Sequence, residues 1–376
     1  AQGGLVMKSF LSDAISRAGT QSGDVGPTYQ EYSAADQELL RVLESLKTNI
    51  KIVGCGGGGS NTIDRLSEVG IAGADIYAAN TDAQHLLAVR APHKILLGRR
   101  STRGLGAGAL PQVGEEAAKE AEDEVRKAMA EAHIVFVTAG MGGGTGTGAA
   151  PYVAKIAKDM GALTVAVTTL PFRGEGNLRR ENAEWGLERL RNAADTVIVI
   201  PNDRLLDICP RLGINAAFKV ADEILMRSIK GITELITKPG LVNLDFNDLK
   251  TIMKGAGVAM IGLGESSGDS DDRAVDAIND ALNSPLLDVD ISGATGVLVN
   301  VVGGGDMTIS EAEKVADIIR SKVSSDARII WGAAVDPTLE NRIRVMVVIT
   351  GVSSKQILGR QPGSNRLSDT EVDIVK

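Results

Sequence analysis

A segment rich in glycine and threonine, residues 140–151, constrains the fold of this chain more than any other stretch. It reads Gly-Met-Gly-Gly-Gly-Thr-Gly-Thr-Gly-Ala-Ala-Pro, follows the apolar run Ile134–Val137 and precedes an amphipathic helical pattern. The sequence therefore predicts a strand, a loop with few side chains and a helix N-terminus. Backbone N–H groups in such a loop can approach a ligand closely, and the helix end adds partial positive charge, so the expected ligand is a phosphate. No Walker-A string occurs in the chain, so this binding does not follow the P-loop pattern.

The composition is that of a globular protein large enough for two domains. The 376 residues are 43% hydrophobic and 23% charged, and the apolar runs have the length of strands. The net charge of −8 argues against a nucleic-acid partner. Residues 1–30 lack the pattern of a signal peptide. We expect a cytoplasmic protein without direct membrane insertion.

Cysteine and histidine predict neither a disulfide framework nor a metal site. Cys55 and Cys209 form no C-x-x-C pair, and we expect both as reduced thiols. The histidines, His85, His93 and His133, share no metal-ligand spacing, so no metal held by protein side chains is expected.

Strand and helix patterns alternate between residues 50 and 200. Strands are predicted at 50–53, 74–79, 94–97, 134–138, 163–169 and 196–200. Helices are predicted between them, including a charged helix over 112–131 and another at about 177–193. This alternation predicts a mostly parallel sheet covered on both faces, with ligands at the carboxyl ends of its strands.

The helices that follow the two glycine segments have predicted apolar faces. The first is expected to bury Ile63, Leu66 and Val69. In the second, Pro151 is expected in or near the first turn, where its missing N–H does least harm. Its apolar residues have relative spacing 0, 3, 4 and 7: Val153, Ile156, Ala157 and Met160.

The pattern changes near residue 216. Residues 216–237 predict one helix about 30 Å long, which Lys238-Pro239-Gly240 ends. Strands at 257–263, 296–302, 328–332 and 343–350, with helices at about 270–283 and 309–322, predict a smaller α+β domain. A capping box is expected at Ser310–Glu313. The predicted plan is a mobile N-terminal extension over 1–48 with a helix at about 34–47, a ligand-binding domain over 49–215, a central helix over 216–240, a second domain over 241–352 and a flexible tail over 353–376.

The first glycine segment, Gly54–Gly59, leaves a dinucleotide site as an alternative. It contains a formal G-x-G-x-x-G and is predicted to be a loop. A dehydrogenase would place an acidic residue after the second strand to hold the ribose, whereas this chain has Asn80, with Asp82 two residues later. Two converging glycine segments suit the several phosphates of a nucleoside triphosphate better than a dinucleotide.

Three further segments have two readings each. Leu105–Gly108 is either a surface loop or a contact to a terminal phosphate, whereas Gly303–Asp306 fits a structural turn better than a ligand loop. Asn243–Asp248, which follows the long helix, is either a helix cap or a catalytic segment. The long helix would carry its carboxylates far from the glycine segments of the same subunit, so a catalytic role requires a second subunit stacked head to tail.

The segment Gly142–Gly148 resembles the tubulin signature loop in the form found in FtsZ, the prokaryotic cell-division GTPase. Five more segments resemble FtsZ motifs in the family's order: Gly56–Asn61, Asn80–Gln84, Thr102–Gly108, Pro201–Asp203 and Asn243–Asp248. The resemblance covers about residues 49–351. It implies an α/β fold with a tubulin/FtsZ-like, Rossmann-type GTP-binding domain, a long central helix and a smaller α+β C-terminal activating domain.

The resemblance assigns most of the nucleotide site. Phosphate contacts are implied for Gly56, Gly57, Gly58, Asn61, Gly143, Gly144, Thr145, Gly146 and Thr147, with Ala107 and Gly108 near the γ-phosphate. Glu175 and Arg179 match the pair that contacts ribose and nucleotide; otherwise they are an exposed ion pair. Asn202, Phe218 and Asp222 match guanine contacts. Without the resemblance, Phe218 would be interpreted as a core residue and Asp222 as part of a solvated face.

The resemblance also implies a shared catalytic site. Asp245 and Asp248 would polarise the attacking water at GTP bound to the next subunit, and Asn243 would help to place it. Mg²⁺ is expected with GTP or GDP because no loop lysine neutralises the phosphates. The implied function is a GTPase activated by its own assembly into protofilaments, which form the division ring at mid-cell with membrane-tethering and regulatory division proteins. A tubulin-like filament with a role other than division remains the alternative.

Some residues depart from the family pattern. Ala109-Leu110-Pro111 stands where many relatives have Ala-Asn-Pro, which leaves the contacts of that loop open. The segment after residue 352 lacks the long linker and the Pro-containing terminal peptide of bacterial relatives, so an archaeal-type tether is expected. The predicted helix at 34–47 fits an extended variant of the family.

Overall fold

The computed structural model describes residues 33–266, 272–287 and 289–352. Most of the predicted mobile extension, residues 1–32, and the predicted tail over 353–376 lie outside the described residues. The described chain divides into two compact units between Lys47 and Thr48. The first contains helix α1, Ala34–Leu46, which Ser33 and Asp36 begin with a capping box.

The described residues of the second unit form one sheet of ten strands. They lie in the order β3-β2-β1-β4-β5-β6-β7-β10-β8-β9. The strands are β1 Ile50–Cys55, β2 Ala74–Asn80, β3 His93–Leu96, β4 Ile134–Gly140, β5 Leu163–Leu170, β6 Thr196–Pro201, β7 Gly257–Glu265, β8 Gly296–Gly303, β9 Arg328–Val335 and β10 Ile343–Thr350. The first six pair in parallel, as predicted, whereas β10 is antiparallel to both β7 and β8.

Helices cover this sheet and connect its strands. They are α2 Gly56–Val69, α3 Ala83–Ala88, α4 Pro111–Glu120, α5 Glu122–Ala128, α6 Thr145–Asp159, α7 Asn177–Ala193, α8 Asp203–Ile208, α9 Ile214–Thr237, α10 Phe246–Met253, α11 Arg273–Leu282 and α12 Ile309–Lys322. A 3₁₀ turn lies at Arg173–Glu175. In the described ranges, no helix is both long enough and apolar enough to cross a membrane.

Alternation along the strands creates a buried core on each face of the sheet. In β4, Val135 and Val137 belong to the core that α4, α6 and α7 cover. Ile134 and Phe136 belong to the opposite core, which α2 and α9 cover. The alternating side chains of a strand buried on both faces explain why the apolar runs are continuous.

The two halves of the sheet are joined directly. β6 pairs in parallel with β7 from Thr196–Gly257 to Ile198–Ala259. Helix α9 crosses both halves, and Asn300 of β8 donates from Nδ2 to the Gly231 carbonyl of α9 at 3.3 Å. A Cβ on Gly231 would lie 2.9 Å from the Met346 side chain, so glycine allows this close approach.

Both glycine segments are more helical than predicted. Gly54–Gly59 is not a loop, because β1 continues to Cys55 and α2 begins at Gly56, whose φ of +73° turns the chain in one residue. A Cβ on Gly59 would lie 2.5 Å from the Thr138 carbonyl, so the glycines also let α2 approach β4. Helix α6 begins at Thr145, which makes Pro151 its seventh residue and not part of the first turn.

Three other local predictions are wrong. The charged segment 112–131 forms two helices, since α4 ends before Ala121 and α5 begins after it. Val69 and Met160 lie at helix ends and are exposed, because the buried faces of the two helices end earlier, at Leu66 and Ala157. The last helix is capped by Thr308 and Glu311, two residues before the predicted box, because Ile309 and Ser310 already belong to its first turn.

Candidate nucleotide-binding site

Two helix N-termini meet at the carboxyl end of the parallel sheet. β1 and β4 are neighbours, with Cys55 opposite Ala139, and α2 and α6 begin just after them. The contact is close, since a Cβ on Gly56 would lie 2.6 Å from the Gly146 nitrogen. The first turn of each helix leaves N–H groups without intrahelical partners and carries partial positive charge. We name the two turns, residues 56–58 and 143–147, the phosphate cradle because together they suit an anionic ligand.

The glycines of the cradle differ in what surrounds them. A Cβ on Gly57 would meet only His85 Cε1, at 3.9 Å, and one on Gly143 only Arg179 Nη1, at 4.0 Å. Gly58 is tighter, since its Cβ would lie 3.2 Å from the Gly140 nitrogen. Gly57 and Gly143 therefore face the open side of the cradle, where a ligand would lie.

The threonines of α6 use their hydroxyls to hold the cradle. Thr145 Oγ1 lies 2.6 Å from Thr81 Oγ1 in a buried contact. Thr147 Oγ1 accepts a hydrogen bond from the Gly142 nitrogen at 2.8 Å. Both side chains are buried, so the groups these residues can offer a ligand are backbone N–H groups.

The third glycine cluster lies against the second glycine segment, although the sequence left its position open. Gly144 donates its N–H to the Gly108 carbonyl at 2.9 Å, and Ala107 is buried. Asn182 on α7 donates from Nδ2 to the carbonyls of Ala109 and Gly142, at 3.0 and 3.1 Å. Sequence reasoning missed Asn182, because one polar residue on a charged helix carries no distinguishing signal.

Glu175 and Arg179 form an ion pair beside the cradle. Arg179 Nη1 lies 3.4 Å from Glu175 Oε2, and Glu175 Oε1 accepts the Phe172 N–H at 2.9 Å. The i,i+4 pair suggested by the spacing is therefore present. Arg179 Nη1 would lie 4.0 Å from a Cβ on Gly143, so the guanidinium group lies at the open side of the cradle.

Asn202 directly follows β6, and Phe218 and Asp222 lie one turn apart on α9. The Phe218 ring is 37% exposed and meets the Phe172 ring edge to face at 5.3 Å. Asn202 is 4% exposed, and its Oδ1 has no hydrogen-bond partner among the described residues. Burial raises the pKa of Asp222 to about 6, while the Arg65 charge and a hydrogen bond from Asn61 favour its ionised form.

The acidic segment is a helix cap, as one of its two readings predicted. Asp248 donates its N–H to Asp245 Oδ1 at 2.8 Å, and Asp245 donates its N–H to Asp248 Oδ2 at 3.2 Å. Asn243 Oδ1 accepts the Gly240 N–H at 2.7 Å. Asp245 is exposed, so the cap leaves carboxylate oxygens open to solvent.

This segment lies at the amino-terminal ends of the parallel strands, whereas the cradle lies at their carboxyl ends. The Phe246 ring lies 5.9 Å from the ring of His133, which directly precedes β4, whereas the cradle follows the other end of β4. Seven residues of strand separate these ends by about 20 Å. Asp245 and Asp248 therefore cannot reach the cradle of their own subunit.

Comparisons with known proteins show the family to which this chain belongs. The family model described as Tubulin/FtsZ family, GTPase domain, matches residues 49–210, and the one described as FtsZ family, C-terminal domain, matches residues 257–353. Cell division protein FtsZ 1 of Archaeoglobus fulgidus is 59% identical over 95% of this chain and 96% of its own length. Cell division protein FtsZ of Haloferax mediterranei is 59% identical over 94% of this chain and 95% of its own length.

A solved structure supports the same grouping. It is an empty FtsZ dimer from M. jannaschii, 55% identical, with a TM-score of 0.81 over 85% of this chain and 93% of that chain. The chain therefore belongs to the Tubulin/FtsZ family, with the GTPase domain of that family and the C-terminal domain of FtsZ.

Proposed function

We propose that this protein assembles head to tail into protofilaments, hydrolyses GTP between neighbouring subunits and forms the cytokinetic ring in prokaryotic cell division. The observation that carries the proposal is the separation of the acidic segment from the cradle along β4. Each subunit has a cradle at the carboxyl ends of its parallel strands and the acidic segment at their amino-terminal ends. Head-to-tail stacking brings the two together, so hydrolysis depends on assembly.

The cradle binds the phosphates of GTP in this proposal. The N–H groups of Gly56–Gly58, Gly143 and Thr145–Thr147 donate to phosphate oxygens, while the Gly144 N–H holds the Gly108 carbonyl, and the two helix ends supply positive charge. Ala107 and Gly108 lie at the γ-phosphate, where their contact with Gly144 supports the loop. Glu175 and Arg179 lie at the ribose and the neighbouring phosphates.

Guanine lies between Phe218 and Asp222. The half-exposed Phe218 ring stacks on the base, and the Asp222 carboxylate accepts the guanine N1–H and 2-amino group. Adenine has no such pair of donors. A donor from the base would also satisfy the buried Asn202 Oδ1. Asn61 joins this end of the site, since its side chain contacts Asp222.

Asp245 and Asp248 act on GTP bound to the next subunit. Their carboxylates polarise the attacking water, and Asn243 helps to position it. The barrier falls through positioning and electrostatics, which dominate phosphoryl transfer. Each carboxylate uses one oxygen in the helix cap, and the other accepts no hydrogen bond from the residues that the structure describes, so it can bind the water.

Mg²⁺ accompanies the nucleotide in this proposal. Across the described residues, no three His, Cys, Asp or Glu side chains come together as metal ligands. The ligands of the ion would therefore be phosphate oxygens and water, which Mg²⁺ prefers. When bound, it neutralises charge on the β- and γ-phosphates.

The wider proposal keeps the predicted domain plan and cellular role. Residues 49–215 bind GTP, residues 216–240 form the central helix, and residues 241–352 activate the neighbouring subunit. The protein itself is the filament partner, and membrane-tethering and regulatory division proteins position the ring at mid-cell in the cytoplasm. The named relatives, which are cell division proteins, support this role.

The test is GTP turnover per subunit as a function of protein concentration, with sedimentation measured in parallel. We expect almost no turnover in dilute protein and a rise above a critical concentration, at which filaments begin to sediment. Turnover per subunit that does not change with concentration would contradict the shared site.

A further inference from the structure

Four side chains form a continuous row along one side of the cradle, and hydrogen bonds join the first three. We call Asn80, His85, Asn61 and Asp222 the Asn–His–Asn–Asp chain. Asn80 Nδ2 lies 3.1 Å from His85 Nδ1, and His85 Nε2 lies 3.0 Å from Asn61 Oδ1. The Asn61 side chain lies beside the Asp222 carboxyl group and favours its ionised form. The chain thus links the end of β2 to the residue proposed to contact guanine.

Backbone groups fix the orientation of the first member. Asn80 Oδ1 accepts the Thr81 N–H at 2.8 Å and lies 3.4 Å from the Asp82 nitrogen. Asn80 is 3% exposed, so water does not offer this amide another arrangement. Because both N–H groups require the oxygen at that position, Nδ2 must be the atom that faces His85.

This orientation determines the state of every following group. Nδ2 of Asn80 only donates, so His85 Nδ1 is an acceptor and the imidazole is neutral with its proton on Nε2. That N–H donates to Asn61 Oδ1, which leaves Asn61 Nδ2 as the group available to the Asp222 carboxylate. Each contact then pairs a donor with an acceptor, and the Asp222 carboxylate lies at the end of the chain.

We propose that His85, as its neutral Nε2–H tautomer, is a positioning residue for guanine selection, because it orients the Asn61 amide that holds Asp222. The inference rests on the proposed role of Asp222 at the base. The imidazole also lies against the open face of Gly57, so it borders the ligand without being needed to touch the base. Charged side chains beside these four residues include Asp82, which accepts the His85 backbone N–H at 2.9 Å, and Arg65, which attracts Asp222.

The first test is the tautomer itself, measured by nitrogen NMR of the wild-type protein labelled with ¹⁵N-histidine. The chain contains three histidines, and the His85→Gln variant assigns the signals that disappear. We expect the shift of an unprotonated nitrogen at Nδ1 and of a protonated one at Nε2. A proton on Nδ1 would overturn the proposal, whatever the variants do.

The second test is the preference for GTP over ITP, whose base lacks the 2-amino group. In His85→Leu we expect this ratio of affinities to fall about tenfold, the effect of weakening one hydrogen bond to a charged group. In His85→Gln, whose carboxamide again offers an acceptor and a donor, the ratio should stay within about twofold of wild type. His93→Leu replaces an exposed histidine that does not belong to the Asn–His–Asn–Asp chain, so it should leave the ratio unchanged.

The outcomes separate this inference from the proposed function. Equal losses of GTP and ITP affinity in His85→Leu, or no rescue by His85→Gln, would show that His85 only supports the fold. Asp222→Asn tests the base contact alone: an unchanged ratio in that variant would contradict the proposed guanine site. A reduced ratio in Asp222→Asn together with an unchanged ratio in His85→Leu would contradict only the role of His85.

Discussion

Asp248 combines a structural and a proposed catalytic role, and two substitutions separate them. Its Oδ2 accepts the Asp245 N–H in the capping box of α10. Asp248→Ala removes both this acceptor and the charge. Asp248→Asn keeps an acceptor oxygen in the same position and removes only the charge, so it is the matched control for the cap.

The structure gives different magnitudes for the two effects. Losing the capping contact should lower the free energy of unfolding by about 1 kcal/mol in Asp248→Ala, and by less in Asp248→Asn. Losing the carboxylate that polarises water should slow GTP turnover about a hundredfold or more in both variants. GTP binding should persist in both, because the residue lies at the other edge of the sheet from the cradle.

Three measurements decide between these roles: denaturant unfolding, equilibrium GTP binding and turnover above the critical concentration, with sedimentation confirming that filaments form. Turnover near the wild-type rate in Asp248→Asn, but not in Asp248→Ala, would show that only the cap matters. Loss of GTP affinity in dilute Asp248→Asn would place the residue in the pocket of its own subunit. Either result would refute the reasoning.

Other consequences of the site are equally open to measurement. The pKa of Asp222 is raised to about 6, and only its ionised form accepts hydrogen bonds from guanine. GTP affinity measured by calorimetry should therefore be constant above about pH 7 and weaken as the pH falls through 6. Asp222→Asn should lack this pH dependence, and equal pH profiles of the two proteins would contradict the contact. Thr147→Val leaves a buried N–H without its acceptor, so denaturant unfolding should show a loss of about 1–3 kcal/mol; an unchanged stability would show that the hydroxyl is not needed. Gly148→Ala places a methyl group on the Pro111 carbonyl and should prevent stable folding. In Gly143→Ala the added methyl group faces open space, so this variant should melt near the wild-type temperature. Similar melting temperatures of the two variants would contradict the packing.

Periodicity and glycine positions predicted the framework of the fold. The parallel half of the sheet and the long helix follow from apolar runs of strand length and from a pattern over 216–237, because these patterns report burial on the sheet faces. The helix starts were less accessible. The glycines of Gly54–Gly59 suggested a loop. Helix α2 nevertheless begins directly after β1, because one residue of positive φ, Gly56, turns the chain and the glycines allow tight packing against β4.

The site was predictable only where a motif carries the chemistry. The glycine segments indicate a phosphate cradle without any family knowledge, since they combine bare backbone with helix N-termini. Asn182 and His85 are single polar residues whose roles depend on which carbonyl or amide lies opposite them. Such partners come from distant parts of the chain, and no local pattern records them.

The shared active site is the central claim, and mixing two inactive variants tests it most directly. Asp248→Asn retains the cradle, while Gly57→Glu keeps the acidic segment and places a carboxylate at the open side of the cradle, where it repels phosphate. Each variant alone should hydrolyse almost no GTP. Mixed filaments should regain turnover, because a subunit that binds GTP meets a neighbour with intact carboxylates. The absence of any recovery in filaments shown to contain both variants would contradict the account.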